Sequence, residues 1–226
     1  MQSRMLISGS TYHVFSKSIS GYNIFCNGSE FMRMRQVFSY YKTDESGVKF
    51  SQSYINKPSQ NDKQAKRGKE TVFHGDSLVE IIAYCIMPTH IHLILKQLKE
   101  KGIFNFMRNS LISYTKYFNL KHNRKGPLWE ARFKRVEVVS DEQLIHLTRY
   151  IHLNPVTAYL TDRPEKWQYS SYNEYVTDKV NNKLCTFKNM LGIDPRLYKK
   201  FVENQIDYQR NLAKIKRMVF DENSTS

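Results

Sequence analysis

Residues 78–95 read LVEIIAYCIMPTHIHLIL, and the fold follows from how that stretch is divided. Leu78 to Met87 is a near-continuous apolar run rich in β-branched residues, and Ile91 to Leu95 is a second, with Pro88-Thr89 between them. Runs of this length bounded by a turn signal predict two adjacent strands of a buried sheet. Upstream, residues 12–16 (Tyr-His-Val-Phe-Ser) read as a short strand, and Ser29 followed by Phe31, Met34, Val37, Phe38 and Tyr41 reads as an N-capped amphipathic helix. A further strand is expected at 48–54, and the polar stretch 56–77 reads as a long loop outside the core. Downstream, Met107, Leu111, Tyr114 and Phe118 recur at helical spacing within 103–119, and Asn123 to Pro127 breaks the pattern. Val136 to Val139 is a short strand. Ser140-Asp141 then caps a helix with Leu144, Leu147 and Ile151 on one stripe and Pro155 near its end. Residues 161–175 are rich in Trp and Tyr, 184–218 read as small helices with a basic face, and no internal repeat is present.

The chain has 226 residues, 40% of them hydrophobic, with 15 Tyr, 13 Phe and 2 Trp. That composition excludes global disorder and predicts one core of ordinary size with an appendage. The longest uncharged apolar run, Ile81 to Met87, is far short of the roughly 20 residues of a membrane span. The N-terminus lacks an apolar run followed by a small-residue cleavage site. Three widely spaced cysteines, Cys26, Cys85 and Cys185, suit reduced thiols better than a disulfide framework. A cytoplasmic protein is therefore expected. The 35 Lys and Arg against 21 Asp and Glu leave a formal charge of +14 and a pI near 9.6. Residues 57–69, 116–135 and 199–217 hold all of it (+4, +6 and +4), and the remainder has 17 basic and 17 acidic residues. Taken singly, such runs are often solvated faces. In 116–135, however, Lys116, Lys121, Arg124, Lys125, Arg132, Lys134 and Arg135 alternate with Tyr117, Phe118, Trp129 and Phe133. Cations that hold phosphates, mixed with rings that stack on bases, make a nucleic-acid surface.

Two groups of residues could carry chemistry. His90 and His92 are two apart on a strand, so both imidazoles face one side. They are either polar rings on an exposed sheet face or half of a metal site. On helix 141–155, Tyr150 and Asn154 share a face with His146 one turn earlier, opposite the apolar stripe. That face is either a solvated surface or part of a site. A tyrosine hydroxyl is a weak nucleophile, but a metal on the non-bridging oxygens of a phosphodiester makes the phosphorus attackable.

Four blocks in order, IIAYCIMPTHIHLIL (81–95), KYFNLKHNRKGPLWEARFKR (116–135), LTRYIHLNPVTAYL (147–160) and KWQYSSYNEYV (166–176), resemble the single-tyrosine HUH transposases. The Asn-Pro pair after the tyrosine is similar to the REP-associated branch, domesticated relatives of insertion-sequence transposases. The resemblance spans about residues 11–176 and is weak between about 41 and 76. It implies an α+β palm, an antiparallel sheet with helices in a ferredoxin-like or RNA-recognition-motif-like arrangement. The catalytic domain would be 1–179 with a basic insertion at about 43–77, and 180–226 a basic helical appendage. By the same resemblance, His90 and His92 match the metal-binding histidines, Tyr150 the nucleophile, and Asn154 the polar third ligand, where the insertion-sequence branch carries Gln. The implied metal is magnesium or manganese. The implied substrate is hairpin-forming single-stranded DNA, cut through a 5′-phosphotyrosine bond. Lys116, Arg124, Lys125, Trp129, Arg132, Lys134 and Arg135 are the expected DNA-binding residues. Family members often dimerise, so the resemblance admits a homodimer, and it implies work at the nucleoid in a bacterial cytoplasm. A catalytically silent binding module of the same fold, and a phosphohydrolase using the histidines with water, are the rival readings.

Overall fold

The computed structural model describes residues 5–44, 50, 75–187, 192 and 194–222, with side chains as far as residue 214. Strand β1 (Thr11–Lys17) leads to helix α1 (Gly28–Tyr41), strands β2 (Val79–Met87) and β3 (His90–Gln97), helix α2 (Gly102–Lys121) and strand β4 (Lys134–Val138). The strands lie in the order β2-β3-β1-β4, and every pairing is antiparallel. That βαββαβ order is the ferredoxin-like arrangement, the α+β class expected from the sequence. Helices α3 (Asp141–Thr157), α4 (Tyr172–Val176), α5 (Pro195–Glu203) and α6 (Ile206–Glu222) follow.

Alternation along the strands divides the molecule into two cores. Val14, Ile91, Leu93 and Leu95 point to one face, where α1 and α2 seal them with Phe38, Phe106, Tyr114 and Phe118. Ile94, Cys85 and Met87 point to the other, where α3 lays down Leu144, Ile151 and Val156. Burying such side chains contributes about 1.5–3 kcal/mol each. Helix α1 is capped by Asn27, whose side chain accepts from the Glu30 amide, and not by Ser29. Two residues earlier, Asn27 has the extended backbone a cap requires. Helix α2 starts at a glycine for a steric reason: a Cβ on Gly102 would run into the Leu78 carbonyl. Ser140 caps α3 by accepting from the Gln143 amide.

The tail forms helices α5 and α6 and packs on the body of the protein. Tyr198 and Val202 of α5 are buried in the second core with α3, and the Thr186 amide donates to the Ile81 carbonyl of β2. Of the expected strand at 48–54 only Phe50 lies within the described residues, buried against Tyr40 and Tyr41. The basic run 57–69 lies outside them. The ends of that insertion meet in a bridge between Thr43 and Ser77. Among the described residues no helix is long and apolar enough to cross a membrane.

Candidate active site

The β1–β3 register pairs Phe15 with His92 and Lys17 with His90. Because paired residues share a face, His13, Phe15, Lys17, His90 and His92 all stand on the side opposite α1 and α2. Helix α3 crosses that side and carries Tyr150 to the same place. The Tyr150 ring lies edge-on to His92 at 6.1 Å and to His13 at 6.5 Å between centroids. These residues line an open cleft of about 620 Å³ with Ser18, Ser20, Gly21, Thr89 and Glu130. The two histidines and the tyrosine, 58 residues apart from His92 to Tyr150 in sequence, are thus brought together.

The hydrogen bonds orient the rings. His92 Nδ1 lies 3.0 Å from His13 Nε2, and His90 Nδ1 lies 2.9 Å from Thr89 Oγ1. Each of the paired rings is therefore engaged through Nδ1, which leaves its Nε2 for a ligand, the pattern of imidazoles held ready for a metal. Burial pushes His13 down to about 4. Burial, then the charge of Lys17, pushes His90 to about 4. Burial, with His90, His13 and Lys17 adding to it, holds His92 well below 6.5. All three are neutral at physiological pH, the form that ligates metals. Tyr150 is 46% exposed, and burial of its other edge raises its phenol above the usual value.

Asn154 is not in the cleft wall. One turn on, α3 has climbed about 6 Å, and Asn154 is buried with an amide nitrogen that has no hydrogen-bond partner among the described residues. Of the expected ligands the cleft therefore gathers His90 and His92. Among the described residues no group of three His, Cys, Asp or Glu side chains is arranged to hold a metal. His13, Lys17, Thr89 and Glu130 are site residues that sequence reading missed. His13 had one signal, its place on the alternating strand 12–16, but only the β1–β3 pairing puts it beside His92.

The basic segment divides around the edge of the sheet. Arg132 and Lys134 line an outer arm that shares Phe15, Lys17 and Glu130 with the cleft. Lys116 is exposed on α2, on the opposite side of the sheet. Arg135 alternates away from the cleft face on β4, and Lys125 is exposed in the turn after α2. Arg124 is spent on the loop, donating to Asn119 Oδ1 at 3.0 Å and to the Pro127 carbonyl at 2.7 Å. The expected stacking role of Trp129 is corrected by its position. It is 9% exposed, packs in the first core, and donates from Nε1 to the Leu111 carbonyl at 3.2 Å. Tyr114 is likewise core, donating to the Ile24 carbonyl.

Behind Tyr150 the tyrosine helix is clamped. Thr148 Oγ1 donates to the Ile145 carbonyl and accepts from the Tyr198 hydroxyl at 2.9 Å. The Tyr198 oxygen, its proton so committed, accepts from His152 Nδ1 at 2.7 Å. The other nitrogen of His152 accepts from Ser171 Oγ at 2.8 Å. Burial holds His152 at about 3, and so neutral. The chain of donors ties α3 to α5 and, through Ser171, to Tyr84 of β2.

The model of the IS200-like transposase family matches residues 61–154, a span that includes His90, His92 and Tyr150. Over these residues the chain is similar to the IS200-like transposases. A candidate REP-associated tyrosine transposase of Haemophilus influenzae is 28% identical over 112 residues, which is 45% of this chain and 63% of that protein. The chain thus spans less than two thirds of that transposase. The structure of a REP-associated tyrosine transposase bound to a REP hairpin superposes with a TM-score of 0.51 at 16% identity, over 82% of this chain and 90% of that one. At that identity the likeness is one of fold, and it is the antiparallel α+β palm that the sequence blocks implied.

Proposed function

We propose that the protein is a metal-dependent endonuclease and strand-transferase for hairpin-forming single-stranded DNA, with Tyr150 as nucleophile. The observation that carries this reading is the Tyr150 ring standing beside His92 in a cleft whose outer arm holds Arg132 and Lys134. The Tyr150 oxygen attacks the phosphorus and gives up its proton. The bond from phosphorus to the 3′ oxygen breaks, leaving a 5′-phosphotyrosine and a free 3′-hydroxyl. Attack by a 3′-hydroxyl on the phosphotyrosine reverses the exchange, so joining needs no other energy source. Because burial makes the Tyr150 proton harder to lose, the site must favour the charge that develops on the phosphate. Lys17 supplies a positive charge in the cleft wall, and Arg132 and Lys134 hold the strand in the outer arm. A magnesium or manganese ion on His90 and His92, its remaining ligands phosphate and water oxygens, would polarise the scissile phosphate. His13 fixes the His92 ring. Tyr150 stands beside the histidines of its own chain, which supports action within one chain whether or not two copies associate. On this reading the protein works at the nucleoid in a bacterial cytoplasm.

The test is incubation with hairpin-forming single-stranded DNA and manganese, read on a denaturing gel. A protein–DNA adduct is expected in wild type, lost with a chelator and lost in Tyr150→Phe. An adduct that persists in Tyr150→Phe removes the nucleophile assignment. Binding with no cleavage favours the silent module, and cleavage with no adduct favours a hydrolase.

A further inference from the structure

On the helix side of the sheet, a shallow groove of about 270 Å³ runs between α2 and the segment before β4. Leu111, Ile112 and Phe104 form one wall, Phe133 and Ala131 the other, and Trp129 lies between them. Phe104 and Ile112 are 37% and 44% exposed, an apolar display that nothing among the described residues covers. The floor is rigid, because the Trp129 indole is tethered to the Leu111 carbonyl and backed by Tyr114 and Phe25. Two cations, Arg108 and Arg132, line the groove with no acid among its residues, and neither has an ion-pair partner among the described residues. Arg132 also lines the outer arm of the catalytic cleft, so the groove and the cleft meet at that side chain.

We propose that this groove takes one unpaired nucleotide of the DNA that occupies the cleft, its base against the apolar walls and its phosphates on Arg108 and Arg132. The inference rests on the reading of the cleft as a single-stranded DNA site and extends it across the edge of the sheet. Charge and size choose the occupant. Two arginines with no ion-pair partner among the described residues favour an anion that also carries an apolar planar group, a description that fits a nucleotide. The volume lies just below the roughly 300 Å³ at which pockets for drug-sized molecules begin, so it suits one base and not a helix of a partner. A second copy of this chain would bring the same two arginines to an already positive surface.

The experiment uses the full chain and single-stranded hairpin oligonucleotides carrying one 5-iodouracil, moved base by base through the unpaired flank. Irradiation should crosslink one flank position to residues of 104–112 or 129–133, identified by mass spectrometry of the peptide. Deleting that nucleotide should weaken wild-type binding roughly 5- to 150-fold, the range for losing one base–aromatic stack. In Arg108→Ala, and separately in Ile112→Glu, affinity should fall and the deletion should then cost little. Both side chains are exposed, so folding is kept, and circular dichroism checks it. If wild type binds the DNA and forms the Tyr150 adduct, yet crosslinks only in the cleft and is indifferent to both substitutions, the groove assignment is overturned while the catalytic reading stands. A change of oligomeric state in Ile112→Glu with unchanged DNA affinity overturns it in favour of a self-interface. A wild type that binds no single-stranded DNA overturns both.

Discussion

The two faces of the sheet are built from the same four strands and are finished differently. On one face α1 and α2 close over the apolar residues, and even the polar Glu30 is buried and paired with Lys121 and His122. On the other, α3 to α5 cover the β2 side, while the histidines of β1 and β3 open to the cleft. The first face spends its side chains on stability, and the second leaves the rings of His13 and His90 partly covered and buries that of His92, a cost proteins accept at functional sites. For the side chains that point inward from the strands and helices, the face therefore predicts what a loss does.

The sharpest contrast is between Phe106 and His90. Phe106→Ala, emptying the closed face, should cost about 3–5 kcal/mol in urea unfolding. His90→Ala should leave stability within about 1 kcal/mol and lower adduct formation roughly 100-fold or more. Were His90→Ala to destabilise as much as Phe106→Ala, the division between the faces would fail.

Acid should also separate them. His152, near 3 in the folded chain against 6.5 unfolded, takes up its proton more readily when unfolded. Its contribution is intact above pH 6.5 and is lost as pH falls from there towards 3, by about 1.4 kcal/mol per pH unit. His13 and His90 act in the same sense down to about 4. Burial alone would raise Glu30, but bonds from Lys121, the Cys26 amide and His122 outweigh it and hold the carboxyl at about 2 against 4.5 unfolded. Its contribution is kept above pH 4.5 and lost below. Metal-free unfolding at pH 7, 6 and 5 should thus titrate the cleft face before the closed one, and His152→Gln should flatten that first slope by one proton. An unchanged slope would show that His152 is protonated in the fold.

The smallest expected effect lies in the outer arm. Arg132→Ala with Lys134→Ala should reduce the slope of log affinity against log salt by roughly 0.7 per lost contact on single-stranded DNA. An equal reduction from Lys116→Ala, on the other face, would erase the distinction.

Much of this was legible in the sequence because it is local. The hydrophobic runs at 78–95, the alternation that pairs His90 with His92, and the cap at Ser140 each depend on a few neighbouring residues. What was missed depends on contacts distant in the chain. His13 joins the site through a partner 79 residues away. Trp129 carries the composition of a stacking residue but is drawn inward by the Leu111 carbonyl. Segment 116–135 reads as one basic patch, yet a helix, a loop and a strand carry its charges to both sides of the sheet. The tail reads as an appendage because Tyr198 and Val202 reveal their burial only against α3.

The register of β1 carries one more consequence. Tyr12 and Val14 face the closed core because His13, Phe15 and Lys17 face the cleft. A slip of one residue would exchange the two sets, driving an imidazole and an ammonium into the apolar layer. Folding therefore proofreads the cleft: a chain that assembles its core has already aligned His13 with His92, and a misaligned cleft has no stable fold in which to persist.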